Sequence, residues 1–390
     1  MIQRHLLAAL QEILNKGKSV LLLGPRQTGK TTLLQNITAD LRISLIQPRE
    51  RTRYEKDPSQ LIDEVEALAE TISSPVIIID EVQKVPELMD VAQDLIDRQI
   101  AQLILTGSSA RKLKRGQKIN LLPGRIIPLY LSPLMLGELH DLSLSLDDLL
   151  LFGSMPEVFT TKTHADKTML LDAYVSLYLE EEVRAEALVR NLSSFSHFLE
   201  LAANESGFCI NTNKLSQQVG VAHTTIANYY QILEDCLITH CIKPFTHSKT
   251  RHKMSKTNKY LFFDLGVRRL AAREGETPNL KWRGHLFEQF IGLELIRTST
   301  THPQTQIKYW KDLNGPEVDW LIDHPDHLTP IEVKYTDQPS LHHAKHLNTF
   351  LTEYPDKSTK GYIVCRVPRK RKLSDSIYAW PWQDVPELFT

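Results

Sequence analysis

Gly24-Pro25-Arg26-Gln27-Thr28-Gly29-Lys30-Thr31 places two glycines, a lysine and a hydroxyl at the spacing G-x-x-x-x-G-K-[ST]. That chemistry suits a polyphosphate. Glycines let the backbone curl so that N–H groups and a following helix N-terminus face the phosphates. Lys30 adds a point charge at the β and γ phosphates, and Thr31, followed by Thr32, offers a hydroxyl to Mg2+. The octet follows the apolar run Ser19 to Leu23 and precedes an amphipathic stretch. This is the strand-to-helix context that phosphate binding requires, so ATP and Mg2+ are the expected cofactors.

A second constellation supports the first. Residues 76–81 read VIIIDE, an apolar run ending in two adjacent acids. In open α/β sheets ligands bind at the carboxyl ends of strands. Asp80 is then the expected Mg2+ partner and Glu81 the base that polarises an attacking water. Residues 103–109 (LILTGSS) end at the same edge. Thr106 or Ser108 there either senses the γ phosphate or simply forms a turn.

Asp319, Glu332 and Lys334 form D-x(12)-E-x-K, each within a short β-like run. Alternation along a strand puts Glu332 and Lys334 on one face. A hairpin centred on Pro325-Asp326 places Asp319 opposite Glu332, close enough to share a divalent ion. A lysine beside such a pair orients or activates water. Upstream, Gly284, Glu288, Ile291 and Leu295 share a helical stripe, so Glu288 falls on a face where burial is expected and a partner is needed.

Between these constellations lies a segment suited to DNA. A helix ending at Val219, a turn at Gly220 and a second helix from His223 to Asp235 give a helix-turn-helix layout. His223, Thr224 and Thr225 open the second helix, where such proteins touch base edges and phosphates. The segment 247–259 (HSKTRHKMSKTNK) carries five basic residues and no acid. Lys249, Arg251, Lys253 and Lys256 are its candidate phosphate contacts, with the segment as a wing tip. The bland alternatives are a protein-facing helix pair and a solvated loop.

These residues need elements to hold them. Short apolar runs at 19–23, 43–46, 76–79, 103–105 and 126–131 alternate with amphipathic segments near 30–40, 59–72 and 87–99. Such alternation predicts a parallel sheet covered on both faces, preceded by a helix over residues 2–15. From about residue 140 helices are expected, including a long one from Ala165 to Arg190 and three more over 191–245, closing on the strand-like LITHCIKPF, with a further strand at Lys259 to Asp264. From Lys281 the pattern becomes α+β: a long helix, then strands near 305–311, 317–322, 330–335 and 361–366.

Composition narrows the classes. The 390 residues carry 46 Lys plus Arg against 47 Asp plus Glu, so bulk charge does not fix a nucleic-acid partner and any such surface is local. Four cysteines without a CxxC pair point to neither a zinc ribbon nor a disulfide framework. No apolar run reaches membrane-spanning length. A cytoplasmic protein without a membrane partner is the expectation.

The blocks GPRQTGKTTLL, VIIIDEVQKVPEL, LILTGSSARKL and LLPGRIIPLYLSPLMLGEL resemble the prokaryotic AAA-type ATPases that carry a C-terminal domain of unknown function. The later blocks FGSMPEVF, KYLFFDLGV, GHLFEQFIGLEL, EVDWLI and PIEVKY extend the resemblance over nearly the whole chain. It implies an α/β P-loop ATPase of the AAA+ type at 1–139, a helical lid at 140–190, a winged-helix-like segment at 191–278 and an α+β nuclease-like domain at 279–390. Glu288, Asp319, Glu332 and Lys334 resemble the PD-(D/E)xK nuclease set, with Glu317-Val318-Asp319 where that fold often has Pro-Asp. By the same analogy Arg125 stabilises transferred phosphate charge, within the chain or on a neighbour's nucleotide in a homo-oligomer. Two functions follow: an ATPase coupled to DNA binding, cleavage or remodelling, or an ATP-controlled switch whose nuclease-like part only docks. A small-molecule kinase needs neither the helix-turn-helix nor the carboxylate set.

Overall fold

The computed structural model describes residues 2–109, 124–139, 142–179, 192–246, 254–276, 280–312 and 315–389. The chain divides into two compact units. The first comprises 1–134, 182–188 and 232–238, and the second comprises 135–181, 189–231 and 239–390.

The first unit begins with helix α1 (Leu6–Asn15), strand β1 (Ser19–Leu23) and the short helix α2 (Lys30–Leu34). Strand β2 (Leu41–Ser44), helices α3 (Pro48–Lys56) and α4 (Gln60–Ala69), strand β3 (Val76–Asp80), helix α5 (Leu88–Asp97), and strands β4 (Gln102–Gly107) and β5 (Ile126–Tyr130) complete it. The five strands form one parallel sheet in the order β2-β3-β4-β1-β5. Both faces are apolar, as the continuous runs in β1, β3 and β4 require. Leu21, Leu23, Ile77, Ile79, Leu103 and Leu105 pack on one side, and Val20, Leu22, Ile78 and Ile104 on the other.

Expected and observed elements differ in instructive ways. The helix foreseen over 30–40 is only Lys30–Leu34. Helix α3 (PRERTRYEK) was not expected, because its only buried residue is Tyr54 and it has no apolar stripe. Its signals are instead Pro48 at the first turn, Glu50 near the N-terminus and Arg53 and Lys56 near the C-terminus.

The second unit opens with helices α6 (Leu146–Phe152), α7 (Pro156–Thr160) and α8 (His164–Ala173). The long helix expected to Arg190 instead passes at Tyr174–Leu179 into a π-helical stretch, and 180–190 lie outside the described residues. Helices α9 (Leu192–Asn204), α10 (Thr212–Val219) and α11 (His223–Asp235) follow. Strands β6 (Thr239–Ile242) and β7 (Lys259–Phe262) pair antiparallel. Helix α12 (Leu265–Ala271) then leads to the long helix α13 (Leu280–Ser299).

Strands β8 (Gln306–Lys311), β9 (Glu317–Asp323) and β10 (Leu328–Val333), helix α14 (Lys345–Glu353), and strands β11 (Gly361–Cys365), β12 (Arg371–Lys372) and β13 (Ile377–Pro381) form the rest. The six strands lie in the order β12-β13-β11-β10-β9-β8. One face packs Trp320, Ile322, Ile331 and Val333 against Phe287, Ile291 and Leu295 of α13. The other packs Trp310, Val318, Leu321 and Ile363 against Leu347 and Phe350 of α14. Gly292 permits the close approach of α13, since a Cβ there would meet the Trp320 ring at 2.3 Å.

Candidate functional site

In the first unit the chain turns out of β1 at Gly24, whose amide donates to the Gly107 carbonyl at 3.2 Å. A Cβ at Gly24 would lie 2.3 Å from the Leu131 carbonyl oxygen, so only glycine fits. Within the loop, the Thr28 hydroxyl donates to the Pro25 carbonyl at 2.8 Å. It therefore shapes the loop rather than facing a ligand. Lys30 opens α2, buried, with its ammonium donating to the Gly24 and Pro25 carbonyls at 2.7 and 3.0 Å. Arg26 is half-buried, while Gln27, Thr31 and Thr32 are exposed at the loop and the first helical turn.

Strand β4 separates β1 from β3, so a residue of β4 stands between the loop and the acids. That residue is Thr106. Its hydroxyl donates to Asp80 and accepts the Glu81 amide hydrogen at 2.9 Å. Thr106 is fully buried, and its hydroxyl braces both acids. Asp80 Oδ2 lies 3.3 Å from the Thr31 hydroxyl. Two hard oxygens thus converge beside the loop, a donor set that fits Mg2+.

Glu81 sits at φ 62°, in the left-handed region, a conformation that costs a non-glycine residue roughly 1–3 kcal/mol and clusters at functional sites. Its carboxylate accepts from Gln83 and from the Ser108 hydroxyl at 3.2 Å. Gln83 also donates to Ser108 at 3.0 Å. Gln83 was not singled out from sequence, where it reads as an ordinary polar residue two places beyond the acid. Arg4 was missed too. Its guanidinium donates to the Thr28 carbonyl at 2.8 Å and the Ser132 carbonyl at 2.6 Å, tying the loop to the chain after β5.

Arg125 is not at this site. It precedes Ile126, which pairs with Ser19 at the start of β1, whereas the loop leaves the far end after Leu23. At about 3.3 Å per residue this is on the order of 15 Å or more along the strand. Arg125 instead pairs with Asp97 at 2.5 Å on the surface. An action on the chain's own nucleotide is thereby corrected, because the residue lies at the wrong edge of the sheet.

In the second unit, β9 and β10 meet in the register Leu328↔Asp323 to Ile331↔Trp320. The turn between them closes with the His324 amide donating to the His327 carbonyl at 3.0 Å. The hairpin is thus centred on Pro325-Asp326, and Asp319 comes level with Glu332. Asp319 accepts the Val333 amide hydrogen at 2.8 Å. Lys334 donates to Glu332 Oε1 at 2.6 Å and lies 4.0 Å from Asp319 Oδ2.

Burial, reinforced by Glu288, pushes the Asp319 carboxyl up to about 7. Burial and then Asp319 push Glu332 up to about 7. Glu332 Oε2 is buried without a hydrogen-bond partner. An orphaned carboxylate oxygen beside a second buried acid fits a divalent cation, which Asp319 and Glu332 would hold.

Glu288 is engaged differently. Its Oε1 lies 3.4 Å from the ammonium of Lys259, which also lies 3.1 Å from Glu317 Oε1. Glu317 in turn pairs with Lys311 at 2.6 Å. Among the described residues, no group of three His, Cys, Asp or Glu side chains is placed to hold a metal.

Residues 211–235 form two helices joined by a turn. Helix α10 is capped by Asn211, which accepts from the Lys214 amide, and ends at Gly220 with φ 75°. His223 and Thr224 are exposed and Thr225 half-buried at the start of α11. Lys249, Arg251 and Lys253 lie outside the described residues, while Lys256 is exposed. The basic segment is not a free tip throughout. Met254 bridges Asp312, the Ser255 amide donates to the Lys311 carbonyl at 3.0 Å, and Lys259 is only 3% exposed.

Family models match these parts separately. Residues 16–140 match a family model described as AAA domain. The first unit therefore has the AAA-type P-loop fold, with its loop, acids and parallel sheet in the matched segment. Residues 143–277 and 283–385 match two models described as domains of unknown function, DUF8612 and DUF4143. Uncharacterized protein Rv2008c of Mycobacterium tuberculosis is 26% identical over 396 residues, covering 98% of this chain and 84% of the relative. Uncharacterized protein Mb2031c of Mycobacterium bovis gives the same figures. Among solved structures, the Aeropyrum pernix ORC1 protein in complex with DNA is 13% identical with a TM-score of 0.30, covering 68% of this chain and 91% of that one. Cdc6p from Pyrobaculum aerophilum is 15% identical with a TM-score of 0.30, covering 70% and 94%. No described helix is long and apolar enough to cross a membrane.

Proposed function

We propose that this chain hydrolyses ATP with Mg2+ at the Gly24–Thr31 loop and couples turnover to DNA through its later segments. The observation that carries the reading is the convergence of Lys30, Thr31, Asp80 and Glu81 at one sheet edge, braced by Thr106. Lys30 would leave the loop carbonyls for the phosphates. Thr31 and Asp80 would hold Mg2+, which neutralises phosphate charge when bound, and Glu81 would take the proton of the attacking water.

The working division is a P-loop core at 1–139, a helical lid at 140–190, a winged-helix-like segment at 191–278 and a PD-(D/E)xK nuclease-like domain at 279–390. His223, Thr224, Thr225 and the basic residues Lys249, Arg251, Lys253 and Lys256 would contact DNA. Asp319 and Glu332 would bind a divalent ion, with Lys334 orienting water for phosphodiester attack. ATP turnover measured with and without single-stranded, duplex and branched DNA tests the coupling. Stimulation by any of them supports it, and Asp319→Ala or Lys334→Ala should then abolish whatever cleavage accompanies it.

A second reading has its own support. Glu288 is held by Lys259, and no three-carboxylate cage is preformed among the described residues. This favours an ATP-controlled switch whose nuclease-like part docks a partner without cutting. Turnover indifferent to DNA, together with no cleavage under Mg2+ or Mn2+, would favour it.

A further inference from the structure

Lys259 begins strand β7, yet its side chain belongs to the carboxylate cluster of the six-stranded sheet. It lies 3.4 Å from Glu288 of α13 and 3.1 Å from Glu317 of β9. Its ammonium also sits over the rings of Tyr309 and Trp320, at 4.8 and 5.6 Å from their centroids. A lysine this buried survives as a cation only with such partners. Two of the nearby charges are already matched: Glu317 also has Lys311 at 2.6 Å, and Glu332 has Lys334 at 2.6 Å. Among the described residues, Lys259 is the cation at ion-pair distance from Glu288, with Lys334 acting on it from farther away.

We propose that Lys259 and a divalent cation compete for Glu288, so that this lysine sets the metal affinity of the neighbouring Asp319–Glu332 site. The inference rests on reading that pair as a metal site. A fixed positive charge inside the cluster repels an incoming ion, and its hold on Glu288 withholds the third carboxylate that a tight site needs. Removing the charge frees Glu288 and leaves the cluster more negative. A lysine that merely supports the fold predicts the reverse, because its loss would loosen the site.

Mn2+ binding to the nucleotide-free full chain, followed by electron paramagnetic resonance, separates the two. Binding lost in Asp319→Asn is assigned to this site. Lys259→Met should bind there about tenfold more tightly than wild type, the scale expected for removing one nearby charge, and the gain should vanish in Lys259→Met/Glu288→Gln. Equal or weaker binding by folded Lys259→Met overturns the proposal, as does a gain that persists without Glu288.

Should Lys259→Met fail to fold, the wild-type protein answers instead. Competition is reciprocal, so saturating Mn2+ should raise the acetylation rate of Lys259 about tenfold, read by peptide mass spectrometry. An unchanged rate overturns the proposal. Absence of any Asp319-dependent Mn2+ binding overturns both the competition and the metal reading, whereas binding that ignores Lys259 overturns the competition alone.

Discussion

Thr106 donates its hydroxyl hydrogen to the carboxylate of Asp80, from the strand between the phosphate loop and the acids. The same oxygen takes the Glu81 amide hydrogen, so one buried hydroxyl fixes both acids. Thr106→Val keeps the volume and removes that hydroxyl. It should cost about 1–3 kcal/mol for the polar groups left unpaired and lower ATP turnover about tenfold or more. Thermal unfolding and a steady-state phosphate-release assay measure the two effects. Wild-type turnover would show that the acids hold position without the brace.

Lys30 and Glu81 should separate binding from chemistry. Lys30→Ala removes the cation proposed to meet the phosphates and should abolish tight ATP binding. Glu81→Gln keeps the side-chain size and should leave binding intact while slowing hydrolysis about 100-fold or more, if Glu81 is the general base. A fluorescent-nucleotide titration beside a turnover assay distinguishes them. Normal turnover in Glu81→Gln would remove that residue from the mechanism.

Arg125 offers a test of assembly. Its place at the far edge of the sheet, paired with Asp97, leaves action on a neighbour's nucleotide as its catalytic option. Turnover per chain that rises with protein concentration in wild type, and not in Arg125→Ala, supports that role. Concentration-independent turnover that Arg125→Ala leaves within about twofold makes it a surface ion pair, worth about 0–1 kcal/mol.

The phosphate loop and its acids were legible because their chemistry is local: glycine spacing and a strand ending in two acids leave few alternatives. The hairpin register was legible as well, since Pro325-Asp326 marks its turn. Asp319's surroundings were less so. Lys308 pairs with Leu321 and Trp310 with Val318, which inserts an extra residue in β9 at 319–320. Such a bulge breaks the alternation of side chains. Val318 and Leu321 both face α14, and Trp320 faces α13, an arrangement period-two reasoning does not give. Lys259 was hidden for a different reason. It closes a run of basic residues that reads as solvated, and only tertiary packing brings it to Glu288 and Glu317, 29 and 58 residues away in sequence.

Burial of Lys259 also sharpens the DNA prediction. Lys259 should contribute nothing to the salt-dependent binding, which leaves Lys249, Arg251, Lys253 and Lys256 as the candidate contacts. Neutralising the four should weaken DNA binding and flatten its salt dependence, each lost phosphate contact lowering the log-log slope by about 0.9. Fluorescence anisotropy across a salt series reads the slope. An unchanged slope would assign the basic segment to protein contact.

The carboxylate pair makes the metal-free protein's stability depend on pH in an unusual direction. Asp319 and Glu332 ionise near 4 in an unfolded chain and at about 7 when folded, chiefly because they are buried. Between those values the unfolded chain binds fewer protons than the folded one, so their contribution to stability is full below about pH 4 and is lost as pH rises through about 7. Asp319→Asn cannot ionise. It should therefore be more stable than wild type at pH 8, by roughly 1–3 kcal/mol for the coupled pair, and unfold at a higher temperature there, but at nearly the same temperature near pH 5. Mn2+ offsets the repelling carboxylates, so it should raise the wild-type unfolding temperature at pH 8 and leave that of Asp319→Asn unmoved. Differential scanning fluorimetry of both proteins at the two pH values, with EDTA or Mn2+, gives all the comparisons. A wild-type protein no less stable than Asp319→Asn at pH 8 in EDTA would mean that Lys334 and Lys259 already balance the pair, and that its acids carry no repulsion for a metal to relieve.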